Sequence, residues 1–158
     1  MKQTKFIFAI LLLILFVFQI QGQINNEIFL QLKNISVYPD GIAQPGSGVE
    51  NITDGKRGTD NEIFHSLWTG IPKQYITIEA DIDGKGKRLD KVILSPRAYG
   101  VNGIIKNAEL WVMVKGKYQQ VATVEAKLSN SPFQINLNKK ILNPEKIKLV
   151  ITDSYYDE

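Results

Sequence analysis

The stretch Ile76-Thr-Ile-Glu-Ala-Asp-Ile-Asp83 places an apolar side chain at every second position and a polar one between. A period of two marks a strand with one face in a core and the other in water. Outward from this stretch the same beat returns. Phe133, Ile135 and Leu137 alternate with Gln134, Asn136 and Asn138. Ile147, Leu149 and Ile151 alternate with Lys146, Lys148 and Thr152, Val150 being the exception. Leu110, Val112 and Val114 form one face of a further strand, and Val121, Thr123 and Glu125 continue after Lys115-Gly-Lys117. Lys91 to Leu94 reads as one more. Turn residues punctuate these runs at Pro39-Asp-Gly41, Asp83-Gly-Lys-Gly86, Asn102-Gly103 and Ser129-Asn-Ser-Pro132. No stretch keeps a helical apolar stripe over three turns. The pattern predicts an all-β chain, an antiparallel β-sandwich with jelly-roll connections.

Composition narrows the class further. A chain of 158 residues, 44% apolar and 22% charged, supports one ordinary domain and excludes a disordered one. With 12 Gly, 6 Pro and no Cys it is neither collagenous nor held by disulfides. Taking Lys2 and Lys5 from the 19 basic residues leaves 17 against 16 acidic ones, so the body of the chain is near neutral. No basic stripe is visible, which argues against a nucleic-acid partner.

Those two lysines precede an apolar run, Phe6 to Ile20, broken only at Gln19 and followed by Gln21-Gly-Gln23. Residues 1–22 therefore read as a secretory signal peptide cut after Gly22, leaving 23–158 as a single domain. The competing reading is an uncleaved anchor. No cysteine stands near the cut for lipid attachment, and no firm membrane anchor is expected. The expected location is secreted, periplasmic or cell-surface. An exported domain of this size without disulfides must rely on its core, with help from a bound metal as an option.

Two segments break the alternation. One runs from Asn51 to Trp68 and is long for a sandwich loop; the other is Ser95-Pro-Arg-Ala-Tyr-Gly-Val-Asn-Gly-Ile104. Between them they hold the only histidine, His65, with Trp68, Arg97, Tyr99 and Asn102. Trp68 and Tyr99 are amphipathic plates, while His65, Arg97 and Asn102 offer donors and acceptors in fixed planes. That combination suits a pyranose, which presents a C–H face to an aromatic ring and hydroxyls to polar groups. Asn102-Gly103 is in the first place a turn. Asp81-Ile-Asp-Gly-Lys-Gly86 lacks the later oxygens of a calcium loop and reads as a hairpin.

The order Asn51-x-x-Asp-Gly55, His65-Ser-x-Trp68, Pro96-Arg-x-x-Gly-x-Asn-Gly103 with Ile104 and Ile105, then Leu110-Trp-Val112 resembles the discoidin, or coagulation-factor type C, superfamily. Its galactose-binding-like branch, carbohydrate-binding module family 32, is the nearest in pattern, and the likeness runs from about Leu32 to Asp153. The resemblance implies a jelly-roll sandwich with a shallow site on its loop end. It implies that His65 bonds an axial hydroxyl, Trp68 stacks on the ring, and Arg97 and Asn102 hold neighbouring hydroxyls. Gln44 is the candidate for a further bond, and Tyr155 or Tyr156 for a second aromatic. It also implies a structural Ca2+ beside the first loop, with Asp54 and Thr59 as ligands and carbonyls from Asn51 and Arg57. The interval from Asp54 to His65 is longer than the family's, which brings Asp60 and Glu62 forward as substitutes. Beside the family's pattern, the ending Tyr155-Tyr-Asp-Glu158 leads to the expectation that the last strand, which supplies a Glu ligand, is lacking, with a truncated product or Glu158 in that ligand's part as the alternatives.

The expected function is an exported noncatalytic carbohydrate-binding module for galactose- or N-acetylgalactosamine-type glycans. A glycan- or mucin-degrading enzyme is the implied partner. One histidine, no cysteine and no nucleophile, zinc-protease or phosphate-loop motif argue against an enzyme. The alternative is a protein- or phospholipid-interacting adhesion domain on the same scaffold, with Ile71-Pro-Lys73 as its tip.

Overall fold

A computed structural model describes residues 28–58, 62–66 and 75–155. The expected signal peptide, Thr59, Asp60, Trp68, the Ile71-Pro-Lys73 tip, Tyr156 and Glu158 lie outside the described residues. Among the described residues seven strands follow one another: β1 (Leu32–Tyr38), β2 (Ile76–Ile82), β3 (Arg88–Leu94), β4 (Ile105–Val114), β5 (Lys117–Glu125), β6 (Phe133–Leu142) and β7 (Lys146–Ser154). Every pairing is antiparallel. Five strands form one sheet in the order β1-β2-β7-β4-β5, and β3 pairs with β6 in the other. The expected β-sandwich is therefore present. Among the described residues no helix is long and apolar enough to cross a membrane.

The core lies between the sheets, where the alternation predicts it. Ala80 and Ile82 of β2, Ala108, Leu110 and Val112 of β4, and Ile147 and Leu149 of β7 are buried against Ile135 and Ile141 of β6. Val121 and Ala122 are both buried although adjacent, because β4 and β5 slip by one residue between Leu110 and Trp111. Such a bulge puts two successive side chains on one face.

The opposite faces of β2, β4, β5 and β7 carry polar and aromatic groups. Lys148 lies over both Trp111 and Tyr118, with its ammonium 5.3 Å and 4.2 Å from the ring centres. Burial, then the Glu79 and Asp81 carboxylates, push the Tyr118 phenol well above its usual titration range. Lys146 stands 2.8 Å from Asp81 and 3.4 Å from Glu79.

The two ends of the sandwich differ in kind. At one end the connections are short: 83–87 between β2 and β3, Lys115-Gly116 between β4 and β5, and 143–145 between β6 and β7. These turns are laced together. Glu145 accepts from the Lys115 and Gly116 amides at 2.7 and 2.9 Å, and the Asn143 side chain accepts from Gly86 N–H at 2.7 Å. Gly84 is packed so tightly on Pro144 that an added Cβ would collide with its ring and carbonyl. At the other end stand the long connections: 39–75, 95–104 and 126–132, with Tyr155 beside them. Antiparallel order alone delivers the described site residues Gln44, His65, Arg97, Tyr99, Asn102 and Tyr155 to this end.

Candidate functional site

His65 is placed by backbone pairing. Gln44 N–H donates to the His65 carbonyl at 2.8 Å, His65 N–H donates to Ser47 at 3.2 Å, and Ala43 bridges Ser66. Gln44 and His65, far apart in sequence, are thus direct neighbours on a short antiparallel ribbon. The imidazole is oriented as well. Its Nδ1 lies 2.8 Å from the Ser66 carbonyl, which can only accept, so Nδ1 carries the proton. In the neutral ring Nε2 is then left as an acceptor for a ligand hydroxyl. Ile63 is buried beneath this ribbon.

Asn51, expected to offer its carbonyl to a metal, stands in a short 3-10 turn at Val49–Ile52. Its side-chain amide donates to the Ile63 carbonyl at 3.1 Å and reaches Gly46 at 3.4 Å. It staples the first loop across its own width.

The second segment is built around Arg97. Its guanidinium donates to the Asn102 carbonyl at 3.3 Å, so the backbone of Asn102 fixes the arginine. Asn102-Gly103 does form a turn, closed by Ile104 N–H to Val101 at 3.2 Å, with Gly103 at φ +80°. Asn102 is half-buried. Tyr99, at the crest, is 72% exposed and offers an open aromatic face. Gly100, at φ +72°, lies under the Arg97 guanidinium, and an added Cβ would stand 3.8 Å from it.

Two residues lock these loops to each other, and the sequence reading assigned neither side chain a role. Arg57 Nε donates to the Pro96 carbonyl at 2.8 Å, and its terminal nitrogen donates to the Asn130 carbonyl. Asn130 in turn donates to the carbonyls of Arg97 at 3.0 Å and Gly100 at 2.7 Å. The Arg57 carbonyl, expected at a metal, accepts from Ala98 N–H at 2.8 Å. Three separate connections become one surface through these bonds. Arg57 sits among glycines, between Gly55 and Gly58, which is the one local hint that its side chain must pass close to other backbone. Nothing local marks Asn130.

Tyr155 belongs to the frame. Its phenol donates to Ala126 at 2.9 Å, its N–H donates to Ile104 at 2.8 Å, and Lys106 lies 5.6 Å from the ring centre. A tyrosine so engaged ties the end of β7 to the β5–β6 connection, with Tyr99 the open ring.

For a cation, the first loop offers Asp54, whose Oδ1 accepts from Lys56 N–H at 2.8 Å. Glu62 brings its carboxylate against Gly58 on the same loop. Among the described residues no group of three or more His, Cys, Asp or Glu stands together to hold a metal ion. A hard cation also takes carbonyl and hydroxyl oxygens. Asp54 with the Asn51 and Arg57 carbonyls would fit one only together with Thr59, outside the described residues.

A guanidinium, an oriented imidazole, an amide and an open phenol ring stand on the same end of the sandwich. Among solved structures the chain is similar to the family 32 module of NanJ from Clostridium perfringens in complex with galactose. The match has TM-score 0.63 and 19% identity, covering 76% of this chain and 82% of that one. It is also similar to CpGH89CBM32-5 from Clostridium perfringens in complex with GalNAc-β-1,3-galactose, with TM-score 0.60, 21% identity, and 76% and 84% covered.

The chain has the galactose-binding-like fold of the family 32 modules.

A third relative in fold, CBM32-3 from a family 31 glycoside hydrolase of Clostridium perfringens, matches with TM-score 0.64, 18% identity, and 80% and 83% covered. No family model and no curated protein matches the sequence. On the family 32 fold, then, the long connections of this chain stand together at one end of the sandwich, and His65, Arg97, Tyr99 and Gln44 stand with them.

Proposed function

We propose that this chain is an exported, noncatalytic carbohydrate-binding module that takes terminal galactose- or N-acetylgalactosamine-type residues on its loop end. The observation that carries the reading is the locked surface made by Arg57 and Asn130, which holds Arg97 and Tyr99 on the end that also carries His65. Two solved structures of the same fold carry galactose or a GalNAc-galactose disaccharide, which supports the choice of sugar. In this reading His65 Nε2 accepts from the axial hydroxyl, Arg97 and Asn102 hold adjacent hydroxyls, and Trp68 covers the C–H face of the ring. Gln44 supplies a further amide beside His65.

A shallow site of this kind binds in the range of about 0.1–1 mM. Avidity then comes from further copies or from a glycan- or mucin-degrading enzyme in the same assembly. The test is retention on galactose-agarose: Trp68→Ala and Arg97→Ala each abolish it while the urea unfolding midpoint stays near wild type. Wild-type retention by both variants contradicts the assignment.

Calcium belongs to the same proposal. Asp54 and Thr59, with the Asn51 and Arg57 carbonyls, would hold the ion and stiffen the first loop; the ion takes no part in contacting sugar. Calcium at about a hundred times its dissociation constant adds roughly 2.7 kcal/mol to stability. The chain therefore melts several degrees higher in calcium than in chelator, and Asp54→Ala removes the difference. Equal melting in both solutions contradicts the metal.

A further inference from the structure

We propose that the hairpin end of the sandwich, opposite the glycan end, is a docking surface for an anionic lipid bilayer. The inference does not rest on the glycan reading. Overall charge hides it, because the fold sorts the lysines by end. Lys85 in the β2–β3 turn, Lys115 in the β4–β5 turn, Lys117 at the start of β5, and Lys139 and Lys140 late in β6 are all exposed. Among the described residues none of the five is paired with a carboxylate. The acidic groups nearby are already engaged. Both oxygens of Glu145 accept backbone amides of the β4–β5 turn, and Asp83 pairs with Lys87 at 3.5 Å.

Exposed apolar side chains stand among these lysines. Ile28 and Phe29, just before β1, are 72% and 79% exposed, and Leu142 at the end of β6 is 63% exposed. The Gln31 carbonyl accepts from Asp83 N–H, which places this entry segment against the β2–β3 turn. Apolar side chains projecting from a cationic platform are what an anionic interface takes up, the lysines meeting head groups and the apolar tips entering below them. The laced turns hold the platform rigid, so its charges are presented together. A bilayer beneath the hairpins leaves the loop end pointing outward.

The test uses protein purified as the cell produces it. It is sedimented with vesicles of phosphatidylcholine alone or with about one-third phosphatidylglycerol, at low and high salt. The expected result is preferential binding to the anionic vesicles that salt weakens. Replacing Lys85, Lys117 and Lys140 together by Gln lowers that affinity roughly 100-fold, at about five-fold per lysine. Phe29→Ser lowers it further, and Arg97→Ala leaves it unchanged. The chain has no cysteine, so a polarity-sensitive dye on Lys139→Cys reports the hairpin end alone, and one on Tyr99→Cys the loop end. The first blue-shifts on anionic vesicles and the second does not. Equal sedimentation with both vesicle types, a triple variant that binds like wild type, or a response from the loop-end dye instead overturns the proposal. Retention on heparin-agarose without preference for anionic vesicles assigns the lysines to a soluble polyanion and overturns it equally.

Discussion

At the scale of single residues, the candidate site depends on side chains that have no part in the proposed sugar contacts. Arg57 satisfies the carbonyls of Pro96 and Asn130, and Asn130 satisfies those of Arg97 and Gly100. A guanidinium serves here because its donors lie in a fixed plane and can reach two carbonyls on different loops at once. Lysine keeps the charge and loses the geometry. Arg57→Lys is therefore expected to lower stability by about 1–3 kcal/mol, since a half-buried carbonyl loses its donor. It should also weaken galactose retention, because Arg97 and Tyr99 lose their fixed seat. Urea unfolding read beside galactose-agarose retention checks both, and a variant unchanged in both assigns Arg57 no part in the site. Arg57 and Asn130 are 73 residues apart. Their bonds run from side chain to backbone, which leaves no periodicity or motif to read. By contrast the sequence singles out His65, Arg97 and Asn102 because they lie in motifs of fixed spacing on loops too polar for the core.

At the scale of elements, the strands legible in the sequence are those with unbroken alternation. β2 and β7 show it along most of their length, and their register, Ile76 opposite Ile151 through Asp81 opposite Lys146, keeps like faces together. β1 was not legible. Its ladder with β2 shifts between Lys33 and Ser36, and Asn34 takes a left-handed conformation at φ 49°, so the period of two is interrupted in the middle of a short strand. β6 extends past the alternating part for the same kind of reason. Asn138-Lys-Lys140 bulges outward before Ile141 returns to the core.

The pairing of β2 with β7 also sets a pH response. The hydrogen bond from Lys146, then the one from Asn34 at 2.7 Å, hold the Asp81 carboxyl below its ordinary 3.8. A depressed carboxyl stabilises the fold above its unfolded value, and that contribution is lost as pH falls through the folded one. The same pair raises Lys146 above 10.5, so its contribution is complete below that value and lost only in more alkaline solution. The stability gap between wild type and Asp81→Asn is thus widest near neutral pH and narrows as pH falls below the ordinary carboxyl value of 3.8. Urea midpoints across the range measure it. A gap that stays constant with pH contradicts the pair.

At the scale of the whole molecule, antiparallel order separates two kinds of connection. Short turns gather at one end and are laced by Glu145 and Asn143, while the long connections gather at the other. Side chains are sorted in the same way, with the polar and aromatic loop residues on one end and, on the other, lysines that pair with no carboxylate among the described residues. The β-sandwich class followed from hydrophobic periodicity; the sorting of charge by end did not, because it exists only once the strands are stacked.

The most direct measurement is a titration of the ¹⁵N-labelled domain with N-acetylgalactosamine, followed amide by amide. A galactose-type site on the loop end gives saturable shifts at about 0.1–1 mM, concentrated at Gln44, His65 and Arg97 to Asn102, with Lys85, Lys115 and Asn143 unmoved. Shifts centred on the hairpin turns or the outer sheet face, or none at saturating sugar, would contradict it.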